Sequence, residues 1–300
     1  MGITLRQYAA QPGFTEDFLR VRDFLVNVNE PDPISPGFHW GRWEWVHSLP
    51  YLDRSALGRI GIWEEHDNIV ALATYETSPG EAYLIADRAH SALKADMLRY
   101  AMEHLSVDGK LLAVICDADE PLQRFAFAQG FRPTQDSESN AVLHIGEMTM
   151  DTSLPPGFRI VSLADDYDLR KYNQVLWNGF NHEDEGPAPT NDAALEERRV
   201  SLSGPHNDLS LKIAVAAPDG QFVSYCGMWY QPGTQNALVE PVATDPRYRR
   251  MGCGRAAVLE GVRRCGVLGA RRAWVGSSQQ FYYRIGFVPV NHETKWEWKK

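Results

Sequence analysis

Two stretches of this chain end the same way, and that constrains the fold more than composition does. "FAFAQGFRP", Phe125 to Pro133, and "FYYRIGFVP", Phe281 to Pro289, each form an amphipathic turn closing on Gly-Phe, with Gly130 and Gly286 156 residues apart. At nearly the same offset the opening "ITLRQY" matches "FRIVSL" beyond the middle of the chain. Self-similarity at a fixed period marks copies of one structural unit, and 300 residues suffice for two domains of about 150. Two unrelated helix ends that both stop at glycine are the alternative. The seam falls where "VLHIGEMTM", residues 142–150, reads as a closing strand and Pro155, Pro156 and Gly157 then break regular structure before apolar alternation resumes at Phe158. The expected organisation is a domain at 1–150, a linker at 151–157 and a domain at 158–300.

The second half reads as a mixed α/β unit. "DDYDLRKYNQVLWNGF" from Asp165 and "NDAALEERRVSL" from Asn191 are helix-like, with Asp or Asn near each start as a cap. "LSLKIAVAAP", "QFVSYCGMWYQ" and "NALVEPVAT" follow as β-branched or aromatic strands. Then come a helix from about Gly254 to Val267, a strand "RAWVGS", a short helix "QQFYYRI" and a last strand "TKWEWK".

Composition excludes several classes. No apolar run approaches the roughly 18 residues that span a bilayer, and "MGITLRQYAAQPGFTEDF" lacks the apolar core of a signal peptide. Arg6 stands where a myristoylation signal has Ser or Thr. The expectation is a cytoplasmic protein without a membrane partner. Cys116, Cys226, Cys253 and Cys265 form no CxxC pair, so reduced thiols and no metal site are expected. A formal net charge of −9 argues against nucleic acid and mildly favours a cationic small molecule.

Within this acidic chain, "DPRYRRMGCGRAAVLEG", Asp245 to Gly261, places a basic, glycine-bearing turn where a strand becomes a helix. Such a turn offers unpaired N–H groups at the positive end of a helix dipole, a ready anion site. Gly252 and Gly254 remove side chains that would hold a phosphate away, and Arg247, Arg249 and Arg250 add positive charge. The turn suits a pyrophosphate. Its spacing is neither GxGxxG nor GxxxxGK[ST], and it comes late, after an antiparallel-looking sheet.

"VATDPRYRRMGCGRAAV" resembles motif A of the GNAT superfamily of N-acetyltransferases, whose [RQ]xxGx[GA] loop holds the pyrophosphate of acetyl-CoA, and "FYYRIGF" resembles that family's downstream motif. The resemblance is good over 158–300 and weaker over 1–150. It implies two tandem GNAT-like acyl-CoA N-acyltransferase domains of mixed α/β fold, with acetyl-CoA as cosubstrate and no metal. By the same resemblance Arg249, Arg250, Met251, Gly252, Cys253, Gly254 and Arg255 form the pyrophosphate loop. Val242, Ala243 and Thr244 match the strand end whose backbone meets the pantetheine arm. Tyr282 matches the tyrosine that gives a proton to the departing CoA thiolate. Direct attack by an amine also needs a base, either an ordered water or Glu240, which lies on the strand entering the cofactor site; a solvent-facing or structural Glu is the alternative for that residue. Tyr283 is expected to pack in the core or line the substrate side. Cys253 is a spacer between glycines and not a nucleophile.

The family often carries an Asn before its last helix, where this chain has "VGSSQQ"; Ser277 or Ser278 replaces that hydrogen bond, or the stretch is a plain loop. Shifted by 156 residues, Gly252 falls on Asp96, Gly254 on Leu98, Arg249 on Leu93, Tyr282 on Ala126 and Glu240 on Leu84, so the first half is expected to be a degenerate copy without cofactor binding. "PGFHWGRWEWVHSLP", Pro36 to Pro50, packs between domains or lines an aromatic pocket, the former favoured. "FNHEDEGPAP", Phe180 to Pro189, is a solvated acidic loop that, if functional, draws an amine to the cleft. The expected activity is acetyl transfer to a primary amine of a small molecule by a monomer or homodimer. A non-catalytic CoA-sensing or scaffold protein is the alternative, and the acceptor itself is not legible.

Overall fold

The computed structural model describes residues 2–30, 38–146 and 150–300. Two compact units emerge, and they are not consecutive in sequence. Unit 1 comprises residues 1–140, 276–278 and 289–300; unit 2 comprises 141–275 and 279–288.

The chain runs β1 (Thr4–Gln7), α1 (Glu16–Val28), α2 (Trp40–His47), β2 (Gly61–Glu65), β3 (Asn68–Thr74), β4 (Glu81–Ala86), α3 (Lys94–His104), β5 (Lys110–Cys116), α4 (Glu120–Ala128) and β6 (Arg132–His144). It continues with β7 (Arg159–Ser162), α5 (Leu169–Gly179), α6 (Asp192–Ser201), β8 (Lys212–Ala216), β9 (Phe222–Tyr230), β10 (Asn236–Thr244), α7 (Cys253–Val267), β11 (Arg272–Gly276), α8 (Gln280–Arg284) and β12 (Val288–Lys299). The predicted order of the second half holds, with one addition: β7, four residues long and too short to read as more than apolar alternation. The expected closing strand ends at His144, and Glu147 to Thr149 lie outside the described residues.

In unit 1 the strands follow the order β1-β2-β3-β4-β5-β12-β6. The last strand of the sequence lies here, antiparallel to β5 from Glu293–Cys116 to Lys299–Lys110. The helix starts obey capping chemistry: Thr15 accepts from Phe18 N, with Glu16 and Asp17 in the first turn of α1. The aromatic stretch after Gly37 is core of this unit, with Phe38, Trp40 and Trp43 all buried; Pro36 and Gly37 are not among the described residues. His39 caps α2 by accepting from Gly41 N at 3.0 Å. Burial, with Arg22 nearby, pushes its pKa down to about 3, so it remains a neutral acceptor.

In unit 2 the order is β6-β11-β10-β9-β8-β7, with the 141–144 end of β6 at its edge. β8 and β9 are buried along their whole length. That follows from cover on both faces, as in sheets sandwiched between helices. One face packs Ile213, Val215, Cys226 and Met228 against α7 residues Ala257, Val258 and Val262. The other packs Ala214, Ala216 and Tyr225 against Tyr172, Val175 and Leu176 of α5. Asp168 and Asn191 cap α5 and α6. No described helix is long and apolar enough to cross a membrane.

Candidate active site

The site begins where two strands part. β10 and β11 run parallel, but their register covers only Asn236–Arg272 to Leu238–Trp274, while β10 continues to Thr244. From Val242 to Thr244 its other edge stays paired with β9, to Cys226, Tyr225 and Ser224. The edge of Val242, Ala243 and Thr244 that faces away from β9 therefore carries backbone polar groups outside that ladder, the kind of edge an extended ligand arm can pair with.

Asp245 ends the strand and caps the short 3₁₀ turn Pro246–Tyr248 by accepting from Arg247 N at 2.9 Å. Two left-handed residues follow, Arg250 at φ 64° and Gly252 at φ 89°. Gly252 is the N-cap of α7, and no side chain caps the helix. The first bond of the helix runs from Ala256 N to Gly252 O at 2.9 Å. The N–H groups of Cys253, Gly254 and Arg255 hence have no intrahelical acceptor, and with the helix dipole they present donors of the kind that suit an anion.

Gly254 also has a packing role. A Cβ there would stand 3.0 Å from Thr244 Oγ1 and 3.4 Å from the Phe281 ring. It permits close packing of α7 on β10 and α8, while the left-handed turn depends on Gly252. Cys253 buries its thiol in the unit 2 core, and burial pushes that thiol's pKa up. Met251 is 41% exposed.

The arginines divide their labour. Arg247 pairs with Asp245 at 2.7 Å. Arg249 reaches Asn181 Oδ1 at 2.7 Å and the carbonyls of Gly179 and Thr244 at 3.2 Å, lashing the turn to the end of α5. Arg255 pairs with Asp151 at 2.7 Å and donates to Ser153 O at 3.3 Å. Arg250 is exposed and has no protein partner among the described residues.

α8 sits beside this turn through Phe281. The next residue, Tyr282, is 7% exposed, between the rings of Phe281 and Phe287. Its hydroxyl makes no hydrogen bond to any described residue. Burial first, then the proximity of Cys226 and of Glu240, pushes its pKa above the ordinary 10.0, so the phenol stays protonated. Glu240 is half-buried on β10, and its electrostatic effect on Tyr282 puts the two groups in one neighbourhood. Tyr283 packs partly buried against the core. Ser277 donates its backbone N–H to Ser139 O at 2.7 Å in unit 1. In the acidic loop His182 and Glu185 pair at 2.7 Å, and no metal-holding group of three or more ligand residues occurs among the described residues. Sequence reasoning missed Asp245, whose buried carboxylate also accepts from Asn178 Nδ2 at 2.6 Å; an aspartate at a strand end gives no local sign of its distant partner.

Residues 174–287 match the family model "Acetyltransferase (GNAT) family". That segment, under half of the chain, is similar to a GNAT acetyltransferase domain. A GCN5-related N-acetyltransferase from Sphaerobacter thermophilus is similar over 99% of this chain and 95% of its own, at 16% identity and TM-score 0.60. A tandem GNAT protein from the clavulanic acid biosynthesis pathway is similar over 99% and 98%, at 13% identity and TM-score 0.62. A GNAT-family acetyltransferase from Colwellia psychrerythraea is similar over the full length of both chains, at 12% identity and TM-score 0.57. At such identities the likeness shows the fold, and it shows it for both halves. No curated protein matches the chain. The GNAT fold is one that transfers acyl groups from acyl-CoA.

Unit 1 repeats the GNAT layout with other residues. β4 and β5 are parallel for three pairs, Glu81–Leu112 to Tyr83–Val114. A cavity of about 320 Å³ opens beyond them, lined by Leu84, Ile85, Val114, Cys116, Lys94 and Asp119 among others. At the corresponding helix start, α3 has Leu93 as N-cap and Asp96 in its first turn. Lys94 is ion-paired with Asp119, the N-cap of α4.

Proposed function

We propose that unit 2 transfers acetyl from acetyl-CoA to a primary amine of a small-molecule acceptor, and that unit 1 is a GNAT-like copy that binds no acetyl-CoA. The observation that carries this reading is the uncapped, left-handed turn into α7 at the point where β10 has left β11. The amides of Cys253, Gly254 and Arg255 hold the pyrophosphate, with Arg250 adding charge. The pantetheine arm lies along Val242, Ala243 and Thr244. This leads the thioester toward Glu240 and Tyr282.

The chemistry is a direct transfer. Glu240, itself or through a water, takes a proton from the ammonium of the acceptor. The neutral amine attacks the thioester carbonyl, the tetrahedral intermediate collapses, and the C–S bond breaks. The departing thiolate accepts a hydrogen bond and then a proton from Tyr282, and the phenolate left behind is reprotonated from solvent as the product amide nitrogen sheds its extra proton to solvent. Burial keeps the phenol protonated at neutral pH, so it can donate that hydrogen bond, and the same burial makes it a weaker acid. In unit 1 Asp96 sits in the first turn of α3, where a carboxylate opposes a pyrophosphate.

Calorimetric titration with acetyl-CoA tests the reading, alongside Gly252→Asp. One site per chain, lost in the variant, is expected. Two sites would overturn the degenerate status of unit 1, and no binding would overturn the acetyltransferase itself. Release of free CoA with a panel of primary amines then separates an enzyme from a protein that only binds the cofactor.

A further inference from the structure

β9 and β10 lose register at one point. Val239 pairs with Met228 and Val242 with Cys226, so Glu240 and Pro241 together oppose Gly227. Such a bulge takes a backbone group out of the ladder and re-aims its side chain. Here the carbonyl of Glu240 accepts a hydrogen bond from Trp229 Nε1 at 2.9 Å. Space for that carbonyl exists because residue 227 is glycine: a Cβ there would lie 2.5 Å from the same oxygen.

The indole is itself held. Lys212 on β8 is the register partner of Gly227, and Trp229 shares the face of Gly227 two residues on. Across the gap left by that glycine, Lys212 Nζ stands 3.6 Å from the Trp229 ring centroid and donates to Met228 O at 2.9 Å. Lys212 is 2% exposed in a strand whose same-face neighbours are Ala214 and Ala216. A buried ammonium is costly, and an apolar side chain of similar volume would serve stability as well or better. Over the ring face it does something an apolar chain does not: the attraction of cation and π-system fixes the ring plane, and with it the direction of the N–H.

We infer that Lys212 and Trp229 are positioning residues for Glu240. The lysine holds the indole, the indole holds the bulged carbonyl, and the bulge sets where the acceptor-side carboxylate stands. The catalytic half of this inference rests on the role of Glu240 proposed above.

Two variants probe the clamp: Lys212→Met keeps the stem without the charge, and Trp229→Phe keeps a ring without the donor. In protein labelled with ¹⁵N-tryptophan, the Trp229 indole signal, assigned by its loss in Trp229→Phe, should be slow to exchange with solvent. In Lys212→Met it should shift and exchange at least tenfold faster. An unchanged signal overturns the clamp whatever the activity. In turnover, each variant should lower kcat about tenfold or more, the scale of misplacing a reacting group, while acetyl-CoA affinity by calorimetry stays as it was. In a Glu240→Gln background neither variant should cost anything further. Equal losses in both backgrounds, or a fall in Tm with kcat unchanged, would mean a merely structural pair. If the unaltered protein binds no acetyl-CoA the enzyme reading fails, and the indole signal still decides the clamp.

Discussion

Asn178 donates from Nδ2 to a carboxylate oxygen of Asp245 at 2.6 Å, joining α5 to the residue from which the turn into α7 springs. Arg247 approaches the same oxygen at 2.7 Å. Burial alone would raise the pKa of Asp245, but the hydrogen bonds from Arg247 and Asn178 outweigh it and hold the carboxyl below its ordinary 3.8. The stabilisation is therefore complete above pH 3.8 and is lost as pH falls through the lower folded-state value. Asp245→Ala should cost about 1–3 kcal/mol at neutral pH, because it strands a buried amide. Urea unfolding of both proteins across pH 2–7 checks this, and the gap should narrow at the acid end.

The two glycines of the turn should fail differently. Gly252→Asp places a carboxylate at the α7 N-terminus and a side chain at φ 89°, so acetyl-CoA binding should vanish. Gly254→Ala sets a methyl 3.0 Å from Thr244 Oγ1, and overpacking of this kind costs about 1–3 kcal/mol. Thermal unfolding beside calorimetry separates the two, and equal loss of binding with no loss of stability in Gly254→Ala would contradict the packing role.

Tyr282→Phe should reduce kcat about a hundredfold while acetyl-CoA affinity is retained, since the ring stays and only the donor is lost. Because the phenol titrates above the usual 10.0, the kcat profile should show no basic limb from this group below pH 9. Steady-state rates over pH 6–9 provide the check.

Asp151 holds Arg255 at the loop with a 2.7 Å ion pair. An exposed pair of this kind is worth little by itself, but under the proposed function it would compete with a phosphate for the same guanidinium. Asp151→Asn should tighten acetyl-CoA binding a few-fold at low salt, and the gain should shrink as ionic strength rises. Calorimetry at two salt concentrations would reveal it.

The elements around the turn into α7 were legible because each announces itself within a few residues. Asp168 and Asn191 precede helical periodicity, glycine and arginine mark the turn, and the Gly-Phe repeat fixed an offset by which Arg132, where β6 starts, falls on Val288, where β12 starts. Contacts made across the fold left no such mark. Nothing near Arg249 tells that its guanidinium binds the carbonyl of Gly179 and the side chain of Asn181, or that Gly254 answers to Thr244. Trp229 and Lys212 read simply as strand residues, since a buried lysine is recognisable only once its ring partner is in place. The aromatic run from Phe38, expected to pack between domains with an aromatic pocket as the alternative, packs as core of unit 1, because composition does not say which way a side chain faces.

β12 belongs to unit 1, where it pairs with β5 over seven residues ending at Lys299–Lys110. During synthesis, residues 1–140 therefore leave the ribosome long before the strand that completes their sheet. Until residues 289–300 arrive, the β5 edge that β12 covers lacks that partner, and an unpaired edge of this kind can take up a foreign strand. Cutting the gene at the linker would accordingly yield two incomplete products rather than two proteins.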